Sequence, residues 1–147
     1  MVGTEFAKRL ILSAVLSLGL YACFGGREDT PGEVLAFDGI AEDEVITALG
    51  TEPFWSATIT GNEMVYSTPE NIEGRRASLT RFAGNGGLGF TGTFEDTPLQ
   101  LTVTPGECSD GMSDRTYPFT STLKIGEELR AGCAYTDQQS FSGEELP

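Results

Sequence analysis

The 147-residue chain contains no histidine. That removes the usual general base at neutral pH and the commonest zinc ligand. It also removes any Ser-His-Asp or Cys-His catalytic set. Basic side chains are scarce: 9 Lys and Arg stand against 22 Asp and Glu, a formal net charge of −13. This balance argues against nucleic acid, whose phosphates need a basic surface, and against electrostatic docking on anionic lipid. The chain also lacks a phosphate-cradling glycine loop, since Gly84 to Gly87 lies between two strand patterns and opens no helix. No apolar run near the start reaches the roughly 20 residues a spanning helix needs. Tryptophan occurs once, and cysteine three times.

The run that does exist, Leu10 to Leu20, is uncharged, 11 residues long and preceded by Lys8 and Arg9. A short basic segment and an apolar segment of this length make an export signal. It closes on Leu20-Tyr21-Ala22-Cys23, which looks like a bacterial lipobox. Residues 1–22 are therefore expected to be a signal peptide, and Cys23 the acylated first residue of the mature protein. Two or three acyl chains, palmitate among them, hold a protein on a membrane where one chain is marginal. Removing 1–22 leaves 7 basic and 21 acidic side chains. Residue 24 is Phe, not the Asp that favours inner-membrane retention in enteric bacteria, so the inner leaflet of the outer membrane is the expected address, with the chain facing the periplasm. Residues 23–33, polar with Gly and Pro, read as a lipid-anchored tether. The folded domain is expected over 34–140, with a C-terminal tail over 141–147.

Within that domain the hydrophobic period is two. Leu99, Leu101 and Val103 alternate with Gln100, Thr102 and Thr104, and Trp55, Ala57 and Ile59 with Ser56, Thr58 and Thr60. Such alternation marks half-buried antiparallel strands. Turn signals recur between them at Gly61-Asn62, Pro69-Glu70-Asn71, Gly84-Asn85-Gly86-Gly87, Glu95-Asp96 and Gly126-Glu127. Strands are expected near 34–39, 54–60, 63–68, 76–83, 88–94, 98–104, 117–125 and 129–135. Glu42 to Leu49 fits one helical turn or another strand equally well. The fold class is all-β: a small antiparallel meander of about 7–8 strands closing into a barrel or sandwich.

If Cys23 carries lipid, Cys108 and Cys133 are left as an even pair. An oxidising periplasm favours a disulfide between them. The other possibility is a free or metal-binding pair, and two cysteines without histidine make a poor zinc site.

Three segments are candidates for function. The first, Leu49 to Trp55, holds the only Trp; Glu52 fits a carboxylate at the mouth of a site, or Trp55 is a core anchor and Glu52 a turn cap. The second is the polar stretch Pro105 to Pro118, with Asp110, Asp114, Arg115 and Tyr117. Glu107, Asp110 and Asp114 are oxygen donors of the type that hold calcium, but their spacing does not match an EF-hand loop. No metal and no cofactor is therefore expected. The alternative there is Asp and Ser bonding nearby backbone. The third is Arg75, Arg76 and Arg81, which would meet an anion or pair with neighbouring carboxylates. The one catalytic option left is a carboxylate pair, Glu52 with Asp110 or Asp114, as in a glycoside-type hydrolase.

The strings Gly50-Thr51-Glu52-Pro53-Phe54-Trp55, Ser67-Thr68-Pro69-Glu70-Asn71, Cys108-Ser109-Asp110-Gly111-Met112-Ser113-Asp114-Arg115-Thr116-Tyr117-Pro118 and Gly132-Cys133-Ala134 together resemble an uncharacterised family of proteobacterial envelope lipoproteins. In that family the domain stands alone or beside small β-domains such as META and the C-type lysozyme-inhibitor domain. The resemblance implies envelope maintenance or stress, and no particular activity. The leading expectation is a non-catalytic binding or structural role, with Glu52, Trp55, Asp110, Asp114, Arg115 and Tyr117 as the candidate surface and an envelope protein as partner. The alternatives are an inhibitor of a cationic envelope hydrolase such as lysozyme, which an acidic surface would suit, and the carboxylate-based hydrolase.

Overall fold

In a computed structural model, residues 35–143 are described; the expected signal peptide, Cys23, the tether and the last four residues of the tail lie outside them. Eight antiparallel strands form a closed meander: β1 (Ile46–Thr51), β2 (Phe54–Thr60), β3 (Glu63–Thr68), β4 (Asn71–Ala83), β5 (Leu88–Phe94), β6 (Thr97–Ser109), β7 (Thr116–Ile125) and β8 (Glu128–Thr136). Each strand pairs with its neighbours in sequence, and β1 closes on β8 through Ile46↔Thr136 to Leu49↔Cys133. The fold is thus the barrel form of the expected all-β meander. Closure removes the sheet edges that would otherwise invite pairing with another chain.

Alternation selects the interior. Ile46 and Ala48 of β1, Trp55, Ala57 and Ile59 of β2, Leu99, Leu101 and Val103 of β6, and Phe119 and Leu123 of β7 belong to one core cluster. Their alternate neighbours face out. An eight-stranded barrel has an interior that side chains alone can fill, and here large residues oppose small ones. Trp55 lies against Gly50, its register partner, and against Gly132, where a Cβ would come within 3.0 Å of the indole and 2.0 Å of the Leu49 carbonyl.

The segment before β1 is not the strand expected near 34–39. Residues 35–38 have no regular structure, and Leu35 is 76 % exposed. The apolar residues there do not alternate inward: only Phe37 and Ile40 pack on the core. The segment runs past the barrel end where β1 starts. Phe37 N donates to Gly84 O, and Arg81 Nη2 donates to Ile40 O at 2.7 Å. The undecided stretch before Leu49 resolves into a strand from Ile46. Ahead of it, Glu44 is buried and accepts hydrogen bonds from Ala41 N, Thr136 Oγ1 and Gln139 Nε2. Burial pushes the Glu44 carboxyl up, but these donors and the charge of Arg81 outweigh it and hold the group below its ordinary value.

Candidate functional site

β6 and β7 extend beyond the barrel as an arm. The ladder slips between Pro105 and Cys108, then resumes with Cys108↔Tyr117 and Ser109↔Thr116. Such a bulge bends the strand, and the bend lays the arm across the outer face of β8 and β1. Cys108 and Cys133 are placed as a disulfide, with Cα atoms 5.5 Å apart. Thr51 Oγ1 donates to Asp110 O at 3.0 Å. Tyr117 and Cys133 are buried yet stand apart from the core cluster. Tyr117 packs instead with Tyr135 and Phe141, at centroid distances of 6.0 and 5.4 Å. The C-terminal segment covers this small cluster, pairing Ser142 with Thr116.

Asp110 organises the arm's tip. Its Oδ1 accepts from Met112 N and Ser113 N at 2.9 and 2.8 Å. Its Oδ2 accepts from Ser113 Oγ at 2.8 Å and Tyr117 OH at 3.1 Å. The Met112 amide is the largest cause of a carboxyl held down at about 2, against the smaller opposing effect of burial; Ser113 and Tyr117 add to it. Burial pushes the Tyr117 phenol up, with Arg115 opposing. The Arg115 guanidinium stacks over Phe141 at 4.4 Å from the ring centroid. This is the self-satisfied loop chemistry of Asp and Ser, and the carboxylate's bonding capacity is occupied by the loop itself.

A pH dependence follows with a definite sign. The folded-state value of Asp110 lies below its ordinary 3.8. Its contribution to stability is therefore complete above about pH 4 and is lost as pH falls through about 2. Asp110→Asn should remove that part of the acid transition. Acid titrations of both proteins, followed by far-UV circular dichroism, test this; identical profiles would show that Asp110 is not among the groups driving acid unfolding.

Between the arm and the outer face of β1–β4 lies a groove of about 550 Å³. Leu49, Thr51, Phe54 and Ser56 line one side, Ser67, Thr68, Pro69 and Ile72 another, and Asp110, Met112, Arg115 and Tyr117 the arm side. Ser56 and Ser67 share a hydrogen bond across β2 and β3. Phe54, Ile72 and Met112 are 51 %, 81 % and 62 % exposed around it. A second depression of about 490 Å³ lies on the other side of the arm's tip, lined by Glu52, Ser109, Asp110, Ala131 and Gly132.

The candidate residues therefore separate. Asp110, Arg115 and Tyr117 meet on the arm side of one groove; Trp55 lies behind that groove, 3 % exposed, as a core residue. Glu52 and Asp114 are exposed on neighbouring turns. Arg75 and Arg76 pair with Glu95 and Glu63, while Arg81 holds the backbone at Ile40; this is the carboxylate-pairing alternative for the first two, and a structural post for the third. Among the described residues no group of three or more His, Cys, Asp or Glu is arranged to hold a metal ion. Phe54 and Ile72 were not foreseen as site residues. A signal existed for Phe54, which adjoins Trp55 and so must point out of the barrel when Trp55 points in. No family model, curated protein or solved structure matches the chain.

Proposed function

We propose that this chain is a lipid-anchored envelope protein, held by acyl chains on Cys23 at the periplasmic side of the outer membrane, that acts by binding another protein without catalysis. One observation carries the reading. Three strings far apart in sequence, Gly50–Trp55, Ser67–Asn71 and Cys108–Pro118, converge on a single groove. These are three of the four strings through which the chain resembles envelope lipoproteins. The groove is rimmed by exposed apolar side chains of the kind that anchor protein contacts. The lipobox at Leu20 to Cys23 and a cysteine pair suited to an oxidising compartment agree with the address.

Binding is favoured over the carboxylate-hydrolase reading by the state of Asp110. A carboxylate held near 2 and bonded to four donors is ionised at neutral pH and has no proton to give. It cannot be the general acid of a pair with Glu52, and with both oxygens engaged by four loop donors it is a poor nucleophile or base as well. The hydrolase-inhibitor alternative is a special case of the binding reading.

Two measurements test the proposal. Cys23→Ala should move the protein from the membrane fraction to the soluble fraction; a chain still sedimenting with membranes would overturn the anchor. In cross-linked envelope preparations the wild-type chain should capture a discrete partner. Phe54→Ser with Ile72→Ser should lose it, while Leu129→Ser, an exposed apolar residue on β8, should keep it. Equal capture by all three would overturn the groove as the binding surface.

A further inference from the structure

The groove's surroundings state what kind of partner it fits. We propose that it takes a cationic amphipathic segment, an extended peptide or loop that presents apolar side chains next to Lys or Arg. The inference rests on the groove being the binding surface and adds the class of ligand.

The floor and rim are apolar: Leu49, Phe54, Pro69, Ile72 and Met112. A volume of about 550 Å³ is in the range of sites that enclose small ligands or a few side chains. Two carboxylates adjoin this lining in the turns. Glu70 follows Pro69 in the turn between β3 and β4, and Asp114 adjoins Arg115 beyond Met112 in the turn at the arm's tip, whereas Glu52 opens onto the depression on the other side of the arm. Glu70 and Asp114 are both exposed. The basic side chains in the same region are engaged. Arg75 and Arg76 face Glu95 and Glu63, and Arg115 lies over Phe141. An apolar slot adjoined in the chain by Glu70 and Asp114, on a domain of strong overall negative charge, repels acidic partners and draws basic ones in from a distance. Apolar contacts then hold the complex, because exposed ion pairs alone are worth little.

The test uses the full chain immobilised through a C-terminal tag, with three short synthetic peptides: one alternating Arg and Leu, one of Lys alone, and one alternating Glu and Leu. The Arg-Leu peptide should bind about tenfold or more tightly than either other. Ile72→Ser should weaken it about tenfold, as loss of a central apolar anchor does. Glu70→Lys with Asp114→Lys should weaken it comparably and flatten its salt dependence. Equal binding of the Lys peptide would overturn the proposal in favour of simple charge attraction. Tighter binding of the Glu-Leu peptide, still sensitive to Ile72→Ser, would overturn the ligand class while leaving the groove as the binding surface. Arg-Leu binding indifferent to both variants would overturn the proposal and place the contact elsewhere.

Discussion

Replacing Cys108 and Cys133 together by Ser should lower the stability of the domain by on the order of 3 kcal/mol. The bridge spans 25 residues, and in the chain-entropy picture a loop of that length removes this much freedom from the unfolded chain. For a domain of this size the midpoint of thermal unfolding should fall by roughly 10 °C. Dithiothreitol should produce the same drop in the wild type and none in the double variant. A second consequence distinguishes this bridge from a simple staple. The arm carries one side of the groove, and it is held to β8 and β1 by the disulfide, the Thr51–Asp110 hydrogen bond and the packing of Tyr117 on Tyr135. The Asp110 network is local to residues 110–117, so the tip should keep its shape while its seat on the barrel, left to one hydrogen bond and the Tyr117–Tyr135 contact, loosens. The double variant, still folded below its lowered midpoint, should therefore bind partner more weakly than its stability loss accounts for. Melts with and without reductant, beside binding measured well below both midpoints, check this. A melt unmoved by reductant would show that the β6–β7 ladder and the Tyr117 cluster hold the arm without the bridge.

The barrel was legible wherever both faces of a strand have distinct solvents. Over 54–60, 63–68 and 88–94 the expected and observed strands coincide, because apolar side chains there recur at every second residue, as in Trp55, Ala57 and Ile59, Met64 and Tyr66, and Leu88 and Phe90. It failed where a strand leaves the barrel. β4 begins at Asn71, five residues ahead of its expected start, and Ile72 to Arg76 contains no fully buried residue. β6 continues to Ser109 through Pro105 and Gly106, residues that normally end a strand and here mark the bulge. β1 was undecided because its inward face is Ile46, Ala48 and Gly50, a weak hydrophobic signal made small by the indole it faces. Buried Glu44 sits in the run Ala41-Glu42-Asp43-Glu44, where nothing local separates it from its exposed neighbours. The groove posed a different problem. Its sides come from β1–β4 and from the β6–β7 arm, and their meeting depends on barrel closure and on the direction the bulge turns the arm. Those are long-range outcomes that no window of sequence encodes.

Trp55→Ala should be the most damaging single substitution among the core strands, costing about 3–5 kcal/mol. The indole is the largest side chain of the core cluster and is 3 % exposed. Two glycines make room for it. A Cβ on Gly50 would come within 2.2 Å of Nε1, and a Cβ on Gly132 within 3.0 Å of the ring. Barrel closure between β1 and β8 is therefore built around this ring, and truncation leaves a void lined by backbone that cannot collapse without breaking the Ala48–Ala134 and Leu49–Cys133 register. Trp55→Phe should behave differently. Among the described residues, Trp55 Nε1 is a buried donor with no hydrogen-bond partner. Phe gives up part of the packing but also removes an unsatisfied polar group, itself worth about 1–3 kcal/mol. The two effects oppose, so the net loss should stay below about 2 kcal/mol. Gly132→Ala should be worse than Trp55→Phe, because its methyl meets the Leu49 carbonyl at 2.0 Å and the backbone of β1 has nowhere to move. Urea unfolding of the three variants, followed by circular dichroism because the sole Trp is altered in two of them, should rank Trp55→Ala and Gly132→Ala well below Trp55→Phe. Equal losses for Trp55→Ala and Trp55→Phe would mean that the indole N–H finds a partner in solution, and that the polar atom rather than the ring volume holds the barrel shut.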